Sequence, residues 1–211
     1  MMQTKPILHS TTHRTPVGEL TLVASDHGLR AILWPKLSPQ QAGIRPRPRR
    51  DPDHSILRRT AQQLDEYFAG TRTSFELPLD LEGTRFQLAA WRSLADIPYG
   101  ATTTYGRQAA ALGVPRAARA MGAANGANPV CIVLPCHRVI GADGSLTGFG
   151  GGLPTKQWLL DHEARVLASS SPSPFVGEGP GGGLKPTGTI DSTPQWQPHQ
   201  PVQTRLSMPV A

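Results

Sequence analysis

"TTTYGRQAAALGVPRAARAMGAANGANP" (Thr102–Pro129) has the pattern of a helix-turn-helix. A first helix is predicted over roughly 105–112, and Gly113 suits the cap at its C-terminus. Pro115 suits the first turn of a second helix, which is predicted to run to about Ala124. In helix-turn-helix proteins the second helix is the one that enters a DNA groove. The pattern alone is weak support for DNA binding, because many helical hairpins bind nothing.

The segment around this pattern carries no acidic residue. Neither Asp nor Glu occurs between Ile97 and Ala142, in a chain of 211 residues whose formal net charge is +6. The arginines that fall there are Arg107, Arg116, Arg119 and Arg138. Arg116 and Arg119 are three residues apart and would share one face of the second helix. Such a segment is typical of a surface that meets phosphates. An Ala-rich helical stretch that happens to lack acids is the alternative, and the composition leaves both open.

"VLPCHRVIG" (Val133–Gly141) places Cys136 directly before His137. A thiol is mostly protonated at pH 7, so a nucleophilic cysteine needs a base, and His137 is the nearest candidate. Successive side chains of an extended backbone point to opposite faces. His137 would therefore act through a bent backbone or a bridging water. The alternative for Cys136 is a small buried hydrophobic residue, the commonest role of a free cysteine. The alternative for His137 is a hydrogen-bonded surface or core histidine.

The last predicted helix, "LPTKQWLLDHEARVLA" (153–168), carries a carboxylate on its apolar face. Leu159 and Val166 mark that face, and Glu163 falls within the same arc. A carboxylate in such a place needs a partner, and the imidazole of His137 needs an acceptor on its second nitrogen. The sequence therefore predicts that Glu163 orients His137.

The chain contains two cysteines, too few for a disulfide framework or a Cys-rich structural zinc site. Cys131 has apolar neighbours and no base nearby, so it is assigned to packing and is expected to stay unmodified. The N-terminus has no apolar run of signal-peptide length, and no segment approaches the length of a membrane span. These features predict a soluble, cytoplasmic protein with free thiols.

The N-terminal half has the pattern of a small α/β domain. "GELTLVASDHGLRAILW" (Gly18–Trp34) predicts two strands joined by a turn at 26–28. A Pro- and Arg-rich loop is predicted over 35–53, and a short strand over 74–79. Between them a helix is predicted from an apolar stripe at Leu57, Ala61, Leu64 and Phe68.

A composition shift at 81–84 marks the predicted domain boundary, beyond which Thr84 and Gln87 have the spacing of a helix-capping box. "RVIGADGSLTGFGGG" (138–152) predicts a wing: a strand, an Asp-Gly turn, a second short strand and a glycine loop. The expected fold is α/β (α+β). An N-terminal α/β domain spans 1–82, a winged helix-turn-helix domain spans 83–168, and a disordered tail spans 169–211.

"NPVCIVLPCHRVIG", with "AARAMGAANGANP" before it and "GFGGGLPTKQWLLDHE" after it, resembles the O6-alkylguanine-DNA alkyltransferases, also called methylated-DNA–protein-cysteine methyltransferases. The resemblance covers roughly 83–167. It implies a direct-reversal repair protein that binds duplex DNA containing O6-alkylguanine by a winged helix-turn-helix, through the minor groove. Such a protein flips the damaged guanine out of the stack and moves its O6-alkyl group to a cysteine. It is expected to act once, as a monomer, without a cofactor or metal.

The resemblance also implies roles for single residues. Cys136 matches the acceptor cysteine, and His137 and Glu163 match a water-mediated relay. Asn128 matches an asparagine that braces the active-site turn, although an Asn before Pro129 also favours a turn by itself.

On the DNA side, Arg119 matches the arginine that fills the gap left by the flipped base. Tyr105 matches a residue that crowds the target phosphate and contacts the base, and Arg116 is expected to contact DNA beside Arg119. The resemblance further implies that the carbonyls of Cys136 and Val139 accept hydrogen bonds from the guanine amine. Backbone donors near Gly150 would approach O6.

The sequence departs from the family at Phe149-Gly150, where a tyrosine and a small residue with a side chain are usual. A wider pocket there would admit bulkier alkyl groups or O4-alkylthymine. The zinc site of some animal members is absent, because neither cysteine lies in the N-terminal domain.

Two other function classes are considered. A non-catalytic damage-binding or winged-helix regulatory protein is disfavoured by "PCHR", because relatives of that kind replace the cysteine. A Cys-His hydrolase is disfavoured because nothing marks an oxyanion hole.

Overall fold

A computed structural model describes residues 6–35 and 37–170 of the chain. Its strands are β1 (His9–Thr15), β2 (Gly18–Ser25), β3 (Gly28–Leu33), β4 (Arg49–Arg50), β5 (Thr103–Thr104) and β6 (Val139–Ile140). Its helices are α1 (Ser55–Phe68), α2 (Arg85–Leu94), α3 (Tyr105–Ala111), α4 (Ala118–Gly126) and α5 (Leu153–Ser170). A short 3-10 turn, Cys136–Arg138, lies directly before β6. This mixture of helices and strands agrees with the predicted α/β (α+β) fold.

The N-terminal sheet has the strand order β3-β2-β1-β4. The predicted hairpin over 18–34 is confirmed as β2 and β3, which pair antiparallel. β1 pairs antiparallel with β2 from His9 opposite Ala24 to Thr15 opposite Gly18. The sequence does not predict β1, because "HSTTHRT" is polar and lacks alternating apolar residues. The loop predicted over 35–53 is irregular over 37–48, but the prediction is wrong at β4, which lies within that range and pairs parallel with β1.

The predicted apolar stripe of α1 is confirmed and packs against the sheet. Leu57 and Leu64 are fully buried, and Ala61 and Phe68 are partly buried beside them. The same hydrophobic core continues into the C-terminal half of the chain through Trp91, Leu94, Val130 and Leu159. The two halves therefore share one core.

The strand predicted over 74–79 is wrong, apart from one bridge between Leu79 and Leu29. The side chain of Gln63 takes the place of a partner strand. Its amide NH₂ donates to the carbonyl of Glu76 at 3.1 Å, and its amide oxygen accepts from the N–H of Glu76 at 2.8 Å.

The C-terminal half begins with α2, whose predicted capping box is confirmed. The N–H of Gln87 donates to the Thr84 hydroxyl, and the N–H of Thr84 donates to the Gln87 side chain. Gly113 ends α3 as predicted, with a φ of +74° that a residue with a side chain would adopt only at a cost.

α4 begins at Ala118, so the prediction that Pro115 lies in its first turn is wrong. Val114–Ala117 forms a turn instead, closed by a 2.8 Å hydrogen bond from the last N–H to the first carbonyl. Pro115 occupies the second position of that turn, where its restricted φ is favoured. Arg116 therefore precedes the helix and does not share a helical face with Arg119.

The predicted wing is only partly confirmed. The Asp-Gly turn at 143–144 is present, and the strand before it is β6, which pairs parallel with β5. The second strand is wrong, because residues 145–148 form none. The carbonyl of Thr147 instead accepts from the Lys156 ammonium at 2.8 Å and from the Tyr105 hydroxyl at 3.2 Å. The side chains of Lys156 and Tyr105 thus bond to a carbonyl that would pair with a neighbouring strand if 145–148 were a strand.

α5 runs to Ser170, slightly beyond the predicted helix end at 168. The rest of the predicted disordered tail, 171–211, lies outside the described residues. No helix in the two described ranges is long and apolar enough to cross a membrane.

Candidate active site

Cys136 lies at the start of the 3-10 turn, after a loop that Asn128 holds in place. The Asn128 side chain donates to the Leu134 carbonyl at 2.8 Å and accepts from the Val130 N–H at 3.1 Å. Within this loop Ile132 has a φ of +77°, a left-handed conformation that is strained for a β-branched residue. The bent backbone after Pro135 separates the directions of the Cys136 and His137 side chains less than an extended strand would.

Glu163 is the centre of a buried hydrogen-bond network. It is fully buried, and its carboxylate accepts from His137 Nε2 at 2.8 Å, from the Tyr67 hydroxyl at 2.8 Å and from the Gly100 N–H at 2.8 Å. Arg138 adds two donors, Nε at 3.0 Å and Nη2 at 2.9 Å. The charge of the carboxylate is thus matched by a guanidinium and several donors, as a buried acid requires.

Arg138 does not belong to the phosphate-facing surface suggested by the acid-free segment. Its side chain is buried, and besides Glu163 it donates to the Ile97 carbonyl at 2.6 Å. Its counter-charge is the Glu163 carboxylate on α5, outside the acid-free segment. Arg138 therefore stabilises the site from inside.

The contact with Glu163 sets the tautomer of His137. A carboxylate only accepts, so Nε2 carries the proton and Nδ1 presents its lone pair. Burial lowers the pKa of His137, although the charge of Glu163 opposes this. Burial would raise the pKa of Glu163, but His137 and Arg138 outweigh it and hold that pKa well below its usual range. The resting site thus pairs a neutral imidazole with an ionised carboxylate. Nδ1 of the buried imidazole has no hydrogen-bond partner in the described part of the chain.

Cys136 lies in an environment that favours its thiolate. Its hydrogen bond with the Cys131 thiol lowers its pKa, and this effect together with the nearby Lys156 charge outweighs burial. The two sulfur atoms are 3.7 Å apart. Cys131 is buried, in agreement with its predicted packing role, but the sequence does not predict this contact.

Lys156 is a site residue that the sequence analysis misses. It is fully buried, and its ammonium donates to the carbonyls of Val139 at 2.6 Å and Thr147 at 2.8 Å. Burial lowers its pKa to about 8. Lys156 lies seven residues before Glu163, two turns away on the same face of α5. The arc that identified Glu163 could have identified it as well.

The predicted DNA-contacting residues lie on the outside of the C-terminal half. Arg119 is exposed in the first turn of α4, and Arg116 is exposed in the turn before it. Tyr105, half-buried at the start of α3, reaches the loop at Thr147. The carbonyl of Val139, predicted to accept from a guanine amine, already accepts from Lys156 and keeps one lone pair.

The loop at Phe149-Gly150 packs against Trp34, an aromatic residue just after β3. The rings of Trp34 and Phe149 meet edge-on, with centroids 5.2 Å apart. A Cβ added at Gly150 would lie 3.2 Å from Trp34 Nε1, and one added at Gly151 would lie 2.8 Å from the indole ring. Trp34 thus occupies space that a side chain at either glycine would need. Trp34 is not predicted from the sequence as a site residue, because it comes from the other half of the chain.

The described ranges contain one group with the spacing of metal ligands, and it lies in the N-terminal half. Atoms of His9, Asp26 and His54 lie within 4.8 Å of one another. These side chains are already partnered, His9 with Asp51 at 2.9 Å and His54 with Asp26 at 3.3 Å. Cys136 and Lys156 do not belong to this group.

Two family models match the chain. The model described as "6-O-methylguanine DNA methyltransferase, DNA binding domain" matches residues 85–165. The model described as "6-O-methylguanine DNA methyltransferase, ribonuclease-like domain" matches residues 8–81.

Individual proteins are similar over most of their length. A methylated-DNA–protein-cysteine methyltransferase of Mycobacterium bovis is 45% identical over 157 residues, which are 74% of this chain and 93% of the relative. One of Methanosarcina acetivorans is 42% identical over 153 residues, or 71% and 94% of the two chains. The crystal structure of Mycobacterium tuberculosis OGT in complex with DNA is similar with a TM-score of 0.68 and 43% identity, over 75% of this chain and 94% of that one.

Proposed function

Because this chain belongs to the family of methylated-DNA–protein-cysteine methyltransferases, we propose that it repairs alkylated DNA by direct reversal, with Cys136 as the acceptor. The substrate is duplex DNA containing O6-alkylguanine, with O4-alkylthymine as a further candidate. The observation that carries the proposal is the buried 2.8 Å hydrogen bond between Glu163 and His137, the residue directly after the buried Cys136 in the 3-10 turn. A carboxylate behind a neutral imidazole beside a thiol is the arrangement that nucleophilic thiol chemistry needs.

The chemistry proceeds by displacement at the alkyl carbon. The Cys136 proton passes to Nδ1 of His137, through a water molecule, and Glu163 stabilises the imidazolium formed. The thiolate then attacks the alkyl carbon, a C–S bond forms, and the C–O6 bond breaks. Guanine leaves with the electron pair and is protonated. The thioether is stable, so each protein molecule acts once and needs no cofactor.

The exposed side of α3 and α4 is proposed as the DNA surface. An atom inside a duplex is reachable only after the nucleotide is flipped out. Arg119 would fill the gap in the stack, Tyr105 would crowd the target phosphate, and Arg116 would contact the backbone from its turn. Backbone groups of Val139 and Gly150 would hold the base.

The working unit is proposed to be a monomer in the cytoplasm. Residues 83–168 are taken as the alkyltransferase domain and 1–82 as the N-terminal α/β domain. Both cysteines are free thiols, as the reducing cytoplasm favours.

Incubation with O6-methylguanine duplex is expected to add about one methylene of mass to the peptide that holds Cys136, because the thiolate keeps the transferred group. Intact-mass and peptide mass spectrometry measure this, and ethylguanine, benzylguanine and O4-methylthymine duplexes extend it to substrate range. Unmodified duplex is the control. Tight binding of alkylated DNA without any adduct would instead favour the non-catalytic damage-binding alternative.

Arg119→Ala is expected to slow repair of duplex substrate by about tenfold or more, while reaction with the free modified base changes little. The reason is that the lost side chain supports the flipped state, which free base does not need. Single-turnover rates on both substrates measure the difference. Arg165→Ala removes the same charge from an exposed position on α5 and serves as the matched control. Equal losses on the two substrates would contradict the role given to Arg119.

A further inference from the structure

The two cysteines of the chain form a close pair inside the candidate site. Their sulfur atoms are 3.7 Å apart, at the two ends of a loop braced by Asn128. Each cysteine is only 4% exposed. No other residue of the chain carries a thiol. Packing alone explains a small apolar side chain at 131, but it does not explain a second thiol against the acceptor.

We propose that Cys131 is a resolving thiol for Cys136, so that peroxide closes a reversible Cys131–Cys136 disulfide at the acceptor site. The disulfide takes the acceptor out of use and keeps it from irreversible oxidation. The consequence for repair rests on the proposed function, whereas the disulfide itself does not.

The geometry permits the bond with small movements. A disulfide has an S–S distance of about 2.05 Å, so the sulfur atoms must approach by about 1.7 Å from their present 3.7 Å. Rotation about χ1 of either cysteine moves its sulfur without moving the backbone. The hydrogen bond that the Cys131 thiol donates to the Asn128 carbonyl is long, at 3.4 Å, and costs little to give up.

The two thiols have different environments, which divides the roles between them. The hydrogen bond between the two thiols lowers the pKa of Cys136, and the charge of Lys156 acts in the same direction. The same hydrogen bond and burial raise the pKa of Cys131. Peroxide reacts with thiolates, so Cys136 is the residue that is oxidised first. Cys131 remains protonated and adjacent.

The two steps balance with hydrogen peroxide as oxidant. The Cys136 thiolate attacks one peroxide oxygen, which gives a sulfenic acid and hydroxide. The Cys131 sulfur then attacks the Cys136 sulfur, and the hydroxyl of the sulfenic acid leaves as water with the Cys131 proton. Without a neighbouring thiol, the sulfenic acid is open to a second peroxide and irreversible sulfinic acid.

The test uses the full-length protein, hydrogen peroxide and mass spectrometry, with no DNA. The wild type is expected to lose the mass of two hydrogens, to give a linked 131–136 peptide without reductant, and to recover both thiols after dithiothreitol. Cys131→Ser keeps a hydrogen-bond donor at position 131. Cys131→Ala keeps a small apolar side chain there. Both are expected to gain oxygen at Cys136 and to recover at least about tenfold less thiol.

Sulfinic acid accumulating at Cys136 equally fast in the wild type and the two variants would overturn the proposal, as would loss of both thiols without a linked peptide. Alkyl transfer by reduced protein is measured in parallel. Transfer without disulfide refutes only the resolving role, and disulfide without transfer refutes only the repair function.

Discussion

Replacing Cys136 by alanine is expected to abolish alkyl transfer altogether while duplex DNA is still bound. The side chain is the only acceptor in the proposed chemistry, and it is retained as product, so no residual turnover can arise without it. Cys131 is not expected to substitute: the variant removes its hydrogen bond with Cys136, but burial still raises the pKa of its thiol. Adduct mass spectrometry and a DNA-binding titration on the same preparation measure the two expectations.

Cys131→Ser is the matched control for that experiment, because it removes the other thiol from the same loop and leaves the acceptor in place. It is expected to form the adduct on Cys136. An adduct that persists in Cys136→Ala, on Cys131 or elsewhere, would show that the acceptor is assigned to the wrong residue.

Glu163→Gln is expected to lower the free energy of unfolding by about 3–5 kcal/mol, the usual cost of removing one partner of a buried ion pair. The variant keeps the shape of the side chain but leaves the Arg138 guanidinium buried without its counter-charge. In the wild type the Tyr67 hydroxyl and His137 donate to an ionised oxygen of Glu163. In the variant these two donors face the donor NH₂ of the glutamine instead. Urea unfolding at pH 7 measures the loss.

Asp161→Asn is the control on the same helix, where the carboxylate is exposed and bonds only to Gln157 among the described contacts. A change within about 0.5 kcal/mol is expected there. If Glu163→Gln were as mild as Asp161→Asn, the ion pair would not stabilise the fold as described.

The same variant predicts a pH dependence. The pKa of Glu163 is lower in the folded protein than the value of about 4.3 expected for the unfolded chain. Its contribution to stability is therefore complete above that unfolded value and is lost as the pH falls through the acid range. The stability difference between wild type and Glu163→Gln should accordingly narrow from about pH 5 to about pH 3.

Local patterns in the sequence were sufficient for the parts of the fold that depend on near neighbours. The stripe on α1, the capping box of α2 and the glycine at the end of α3 each follow from residues within a few positions. β1 was missed because its polar sequence becomes a strand only by pairing with β2. The strand at 74–79 was wrong because a side chain from α1, Gln63, satisfies the backbone that a strand would have paired.

In the candidate site, the Cys136-His137 motif and the apolar arc of α5 predict that these two residues and Glu163 act together. The structure places His137 in hydrogen-bond contact with Glu163. Arg138 and Trp34, the first misplaced and the second missed, depend on contacts between distant segments. Arg138 is predicted to face phosphates because it lies in the acid-free segment, whereas in the structure it pairs with Glu163 of α5. Trp34 lies more than a hundred residues before the loop it packs against. No local pattern carries such information.

The hydrogen bond from Tyr67 to Glu163 has a consequence for how small a working repair protein of this kind can be. Tyr67 belongs to the first half of the chain, as does Ile32, whose N–H donates to the Pro129 carbonyl at 2.8 Å beside the acceptor loop. A cut at the predicted domain boundary would remove the Tyr67 donor from Glu163. It would also expose the loop before Cys136, where Pro129 accepts from Ile32. Cys136, His137 and Glu163 lie in the second half, but we expect the smallest autonomous repair unit to span both halves.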